Sequence, residues 1–205
     1  MEDSDVNQRT QDKIKAMHES NREWWSGKSI AYPQCFSGDI KIVEFGSLYE
    51  NGSVRDYFSV PPGNYIGIDW RGGRNVDIVS LAHEVPIDDA QIDTVISASM
   101  LEHDPYWDRS LAKMVKILKP DGSMFVTWAA GSSGPHRLKA DPSGNNGYYP
   151  LKVGDVLRLL GDLGVGVQSF EYENIDMGFA ALHAWRDAAR VVDPHIDELL
   201  EVDKI

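Results

Sequence analysis

Apolar positions along the chain fall into two rhythms. Short runs rich in Val, Ile, Phe and Tyr occur at residues 41–45, 64–69, 76–80, 94–98, 123–128, 166–172 and 178–185, and each has the length and composition of a strand. Between several of them the spacing changes to three and four residues, the period of an amphipathic helix. Ile14, Met17, Trp24 and Trp25 predict a helix from about Thr10 to Trp25. Leu111, Met114, Val115 and Leu118 predict another over 106–118, and Val153, Val156, Leu157 and Leu160 a third over 150–163. A short helical stretch is expected at 54–58, and Lys119-Pro120-Asp121-Gly122 is expected to end the helix before it as a turn.

Strands that alternate with helices predict an α/β protein with a mostly parallel sheet and helices on both faces, because each parallel pairing needs a crossover. The last two strands are joined by Glu173 to Met177 alone, a link short enough to make them an antiparallel hairpin. Residues 1–35 read as an N-terminal helical extension, 36–186 as one domain and 187–205 as an acidic tail. The Gly-, Ser-, Pro- and Asn-rich stretch from Gly131 to Tyr149 is long for a connector, and loops of that kind are functional or disordered.

Composition narrows the partners. The 205 residues are 42% hydrophobic and 25% charged, the balance of an ordinary globular protein. A net charge of -12 disfavours nucleic acid, although Arg71, Arg74, Arg137 and Lys139 could form a local basic patch. The lone Cys35 cannot form an internal disulfide, and the start MEDSDVNQRT has no signal-peptide character. A cytoplasmic, soluble protein is expected, with no membrane span, since no run approaches the roughly 18 apolar residues required. No metal site is assigned, and the oligomeric state is not legible.

The candidate chemistry lies at the strand ends, where ligands bind in open α/β sheets. Gly46, after Val43-Glu44-Phe45, lets the backbone turn beside a ligand. Asp69 ends the next strand at the distance where a carboxylate receives both ribose hydroxyls, an arrangement that disfavours a phosphorylated ribose and so NADP. His103, beyond the fourth strand, is the first candidate general base, and His136 on the long loop is the second. Glu102 and Asp104 can instead cap the following helix. Tyr148, Tyr149 and the Trp24/Trp25 pair can close over an acceptor or simply pack, and Tyr106 and Trp107 are expected to pack.

The succession VEFGS, YIGIDW, VDIVSLAHEVP, IDTVISASMLEHDPYW and MVKILKPDGSMFVTW resembles the class I S-adenosylmethionine (SAM)-dependent methyltransferases, in particular the methyltransferase-domain group with an LEH segment after the fourth strand. The resemblance spans roughly residues 40–185 and implies a Rossmann-like, seven-stranded sheet with a reversed final strand. It implies SAM as cofactor, with Glu44, Gly46 and Ser47 in the cofactor loop and Asp69, followed by Trp70, at the ribose. Leu81, Ala82 and His83 would line the adenine, and Ser99 would lie beside the methionine moiety. Three departures stand out: the family's GxGxG turn is reduced to Gly46-Ser47 with the next glycine at Gly52, Leu81 replaces a frequent carboxylate, and Ser99 replaces a larger polar residue.

The resulting expectation is a SAM-dependent methyltransferase of a small molecule or glycan, with O-methylation favoured. Two rivals belong to other classes. One is a non-catalytic binding or scaffold module that keeps the fold with an altered glycine loop. The other is an NAD or nucleotide-sugar enzyme, whose usual GxGxxG is missing.

Overall fold

The computed structural model describes residues 19, 21–50, 52–130, 136–137, 147–148, 151–173 and 179–186. Seven strands form the main sheet: β1 (Ile42–Phe45), β2 (Tyr65–Asp69), β3 (Ile78–Val79), β4 (Ile92–Ala98), β5 (Leu118–Ala129), β8 (Val165–Glu173) and β9 (Phe179–Arg186). Their spatial order is β3-β2-β1-β4-β5-β9-β8. All pairings from β3 to β5 are parallel, whereas β9 runs antiparallel to both β5 and β8. This is a Rossmann-like, seven-stranded, mostly parallel sheet with the expected C-terminal hairpin. A separate two-stranded ribbon pairs β6 (His136–Arg137) with β7 (Gly147–Tyr148).

The order reverses at β1, whose neighbours are β2 and β4, so the crevice beyond the carboxyl ends of these three strands is the topological switch point. Alternation along β1 divides the interior in two. Val43 and Phe45 enter the larger core with Leu111, Met114 and Val115 of helix α2 (Trp107–Ile117) and Val156 and Leu160 of helix α3 (Val153–Asp162). Ile42 enters a second, aromatic core on the other face, with Trp24, Trp25, Phe36, Tyr65 and Phe125.

That second face is covered by helix α1, described over residues 21–31, which runs six residues past Trp25. Trp24 and Trp25 are buried and meet edge to face at 5.1 Å, a favoured geometry for aromatic pairs. The stretch 54–58 forms just one 3-10 turn (Arg55–Tyr57), and β3 shrinks to two residues at the sheet edge. The Lys119-Pro120-Asp121-Gly122 turn is carried inside β5. Register jumps from Ile92↔Leu118 to Thr94↔Ser123, so the four residues bulge out, with Asp121 at φ 63°. The expected features at 1–18, in most of the 131–150 loop and in the 187–205 tail lie outside the described residues. No helix among the described residues is long and apolar enough to cross a membrane.

Candidate cofactor and acceptor site

Gly46 ends β1 at φ 77°, a conformation costly for any side chain. A Cβ there would come within 2.5 Å of the Met100 Cβ, so the residue has both a backbone and a packing reason to be glycine. The turn is fixed from below by the Ile68 carbonyl, which accepts from the backbone N–H of Gly46 at 2.9 Å and of Ser47 at 3.0 Å. Ser99, at the end of β4, also takes the left-handed conformation, with φ 54°. Its hydroxyl accepts from Asn21 Nδ2 at 3.3 Å and so ties α1 to the end of the central strand.

Asp69 is oriented by the same turn. Its Oδ2 accepts from the Leu48 N–H at 3.4 Å and its Oδ1 from the Arg71 N–H at 2.9 Å. Each carboxylate oxygen keeps acceptor capacity for a ligand hydroxyl. Partial burial raises the carboxyl above its ordinary range, while those two backbone donors and Arg71 pull it back. The Arg71 side chain pairs with Glu50 at 2.7 Å, and Arg74 lies over the Tyr49 ring at 4.0 Å. The proposed basic patch is therefore spent on local contacts at these two positions, and Lys139 lies outside the described residues.

These elements enclose a cavity of about 1040 Å³, at the upper end of the roughly 300–1,000 Å³ usual for small-molecule sites. Glu44, Gly46, Ser47, Asp69, Trp70, Leu81, Ala82, Ser99 and His103 all line it. His83 does not: its ring packs against Tyr106 at 4.8 Å, and its Nε2 lies 3.9 Å from Glu84. The turn Ala82–Glu84 is a tight 3-10 helix, so adjacent side chains diverge, and Ala82 faces the cavity while His83 packs behind it.

His103 ends the 3-10 turn Leu101–His103 directly after β4. Strand β7 of the small ribbon lies against that turn, which brings part of the long loop beside His103. His136 is seen here as a backbone element of the ribbon, opposite Tyr148. Asp104 braces the start of α2, since its carboxylate accepts from the Tyr106 N–H and the Ser110 hydroxyl. Glu102 takes a different part from capping. It is fully enclosed, accepts from the Ala129 N–H and its own, and burial lifts its carboxyl to about 7.

Several wall residues lie outside the sequence motifs: Asn21, Arg22 and Trp25 from α1, and Tyr57. Of the two readings open for the Trp24/Trp25 pair, both rings pack in the aromatic core and Trp25 also lines the cavity. Among the described residues, buried polar atoms of the wall without a hydrogen-bond partner include Ser47 Oγ, Trp25 Nε1, Asn21 Oδ1 and Arg71 Nε. With the carboxylates of Glu44 and Asp69, this donor and acceptor set fits a nucleoside bearing a polar amino-acid end.

Residues 64–126 match the family model described as a methyltransferase domain. The chain shares its sheet fold with solved methyltransferases. Among similar solved structures is the magnesium protoporphyrin IX methyltransferase of Synechocystis PCC 6803 with bound SAM, 14% identical, TM-score 0.60, covering 86% of this chain and 83% of that one. The 1,6-didemethyltoxoflavin N1-methyltransferase of Burkholderia thailandensis, with bound 1,6-didemethyltoxoflavin and S-adenosylhomocysteine, is 16% identical with TM-score 0.56 and 86% coverage of both chains. A third, the 4+2 cyclase SpnF, is 15% identical with TM-score 0.60, covering 80% of this chain and 81% of that one. Comparison with curated proteins finds no match.

Proposed function

We propose that this protein is a SAM-dependent methyltransferase acting on a small-molecule or sugar acceptor, with a hydroxyl oxygen the favoured site of methylation. The observation that carries the reading is the joint placement of the Gly46 turn and the Asp69 carboxylate in one wall of a 1040 Å³ cavity at the switch point of the sheet. In this reading Asp69 holds the ribose, Leu81 and Ala82 border the base with Trp70 at the rim, and Glu44, Ser47 and Ser99 lie along the amino-acid end. SAM supplies an electrophilic methyl group. The chain's own residues supply position, and orientation alone can provide much of the acceleration of a direct displacement.

His103 is the candidate base. It lines the cavity beside the small ribbon, and a neutral imidazole there can take the proton of an acceptor hydroxyl as the oxygen becomes bonded to carbon. The family likeness of the solved neighbours with small-molecule names supports a small acceptor.

A second reading keeps the ligand site without methyl transfer. SpnF is named as a cyclase, and here the glycine turn is followed by a loop and one 3-10 turn in place of a full helix, so the fold alone does not define the reaction.

Calorimetric titration with S-adenosylhomocysteine decides the first step. The wild type binds, and Asp69→Ala weakens binding by roughly 10- to 100-fold, the loss expected for hydrogen bonds to a charged group. Wild-type protein that takes up neither SAM nor S-adenosylhomocysteine, or that is stabilised by NAD alone, overturns the reading. Methyl transfer from labelled SAM to any acceptor then dismisses the second reading.

A further inference from the structure

Helix α1 contributes Asn21, Arg22 and Trp25 to the cavity wall. Asn21 and Arg22 stand four and three residues before Trp25, which sets all three near one side of the helix, with Cβ atoms of such neighbours roughly 5–6 Å apart. Asn21 is partly engaged, since its Nδ2 donates to Ser99 Oγ at 3.3 Å. Trp25 is 1% exposed, and its indole N–H has no acceptor among the described residues. Arg22 lines the cavity and is exposed, which puts it at the opening. Its carbonyl accepts from the Tyr57 hydroxyl at 3.3 Å, so the backbone is held here, while its guanidinium enters no ion pair among the described residues.

Most other charges of the wall are engaged. Arg71 pairs with Glu50 at 2.7 Å, and Asp69 accepts from two backbone N–H groups. Glu44 accepts from the Tyr65 hydroxyl at 2.8 Å, and Asp104 braces the start of α2. Asp56, on the turn that Tyr57 ties to α1, is exposed and forms no ion pair with Arg22. The net charge of -12 repels anions at long range, but screening over about 8 Å at physiological ionic strength leaves the nearest groups decisive.

An exposed guanidinium alone is an ordinary surface group. The enclosed indole N–H one turn away changes its meaning, because a buried donor without an acceptor is costly until a ligand completes it. Both groups donate and neither accepts. Their occupant therefore needs acceptor oxygens, and the guanidinium charge selects an anion. A carboxylate or a phosphate offers two or more oxygens and can receive both donors.

We propose that Arg22 and the Trp25 indole N–H form a seat for an anionic group of the acceptor, so that the acceptor class is a hydroxylated carboxylic acid or phosphate ester. The proposal rests on the reading of the cavity as a methyl-transfer site, in which the amino-acid end of the cofactor lies along Glu44 and Ser47. Those residues are 3% and 2% exposed, whereas Arg22 stands at the opening. That is the side from which an acceptor enters a site already holding its cofactor. Arg22 is a specificity residue here, distant from the proton that His103 takes.

The test uses the full chain, labelled with nitrogen-15 and saturated with S-adenosylhomocysteine, and compares acids with neutral twins. The pairs are 4-hydroxybenzoate with 4-hydroxybenzamide, and glucose 6-phosphate with glucose, so the two arms separate carboxylate from phosphate. One acid at least is expected to bind roughly 10-fold or more tightly than its twin and to shift the Trp25 indole signal, assigned by its loss in Trp25→Phe. Arg22→Gln abolishes the preference and keeps the affinity for S-adenosylhomocysteine, and Arg22→Lys, which retains the charge, restores part of the preference.

If neither acid is preferred to its twin by the wild type, or if the preference survives in Arg22→Gln, the proposal is overturned while the cofactor site stands. Arg22→Gln that weakens S-adenosylhomocysteine but not 5′-methylthioadenosine, which lacks the amino-acid end, also overturns it and gives Arg22 to the cofactor carboxylate. Wild-type protein that takes up no S-adenosylhomocysteine overturns the proposal together with the reading it rests on.

Discussion

Single residues at the ends of β1, β2 and β4 set the shape of the site. Gly46 is the clearest case, because its φ of 77° and the 2.5 Å approach of Met100 are independent demands for the absence of a side chain. Gly46→Ala is expected to cost about 1–3 kcal/mol of stability from backbone strain. It should also weaken S-adenosylhomocysteine, since the same turn supplies the Leu48 N–H that orients Asp69. Denaturant melts and calorimetry on the variant measure the two effects separately. A variant of unchanged stability would mean that Met100 yields and the turn relaxes. The Ser99 conformation, at φ 54°, belongs to the same group of strained positions around the cavity, and observed strain at a candidate site is consistent with function.

At the level of elements, α1 holds together two tasks. Its Trp24 and Trp25 seal the aromatic core over Phe36 and Phe125, and its Asn21, Arg22 and Trp25 form one wall of the cavity. Tyr57 donates its hydroxyl to the Arg22 carbonyl at 3.3 Å, joining the helix to the 3-10 turn after β1. Replacement of Trp25 by Ala is expected to destabilise by about 3–5 kcal/mol, the usual cost of truncating a buried large aromatic. Ile30, 78% exposed on the same helix, serves as the control, and Ile30→Ala should stay within about 0.5 kcal/mol. Urea denaturation distinguishes the two, and equal effects would show that α1 is not packed as described. Trp25→Phe keeps most of the ring contact but removes the Nε1 donor, so ligand affinity should fall more than stability.

Across the whole molecule, three enclosed ionisable groups give stability an opposed dependence on pH. His183, on β9, lies parallel to Phe125 with ring centroids 4.2 Å apart, and neither of its nitrogens has a partner among the described residues. Burial is the main cause of its depression to about 4, with Lys28 adding to it. Between about pH 6.5 and 4 the unfolded chain binds a proton that the folded chain refuses, so stability is lost as pH falls through this window. Glu44 and Glu102 act in reverse. With folded values near 7 against 4.5 unfolded, they cost stability as pH rises from 4.5 through 7. His183→Phe is therefore expected to gain stability relative to wild type below pH 6 and not at pH 8, and Glu102→Gln above pH 7 and not at pH 4.5. Thermal melts across pH check both signs, and a gain independent of pH in either variant would assign its effect to packing.

What the sequence determined by itself was everything carried by local pattern. Short apolar runs specified the strands, the Glu173–Met177 link specified an antiparallel hairpin, and the order of runs and turns put Gly46 and Asp69 at the ends of two strands. Each depends on residues close together in the chain. The tertiary structure decided what depends on contacts between distant segments. It turned His83 behind the cavity while leaving Ala82 in its wall, shortened the helix expected at 54–58 to one turn, and set α1 over the carboxyl ends of β1 and β4. Tyr65 illustrates the division most directly. In the sequence it is one more apolar strand residue, and the parallel register of β1 and β2 is what places its hydroxyl 2.8 Å from Glu44. Hydrogen bonds, burial and the ionisation they govern arise from that juxtaposition, which no local periodicity encodes.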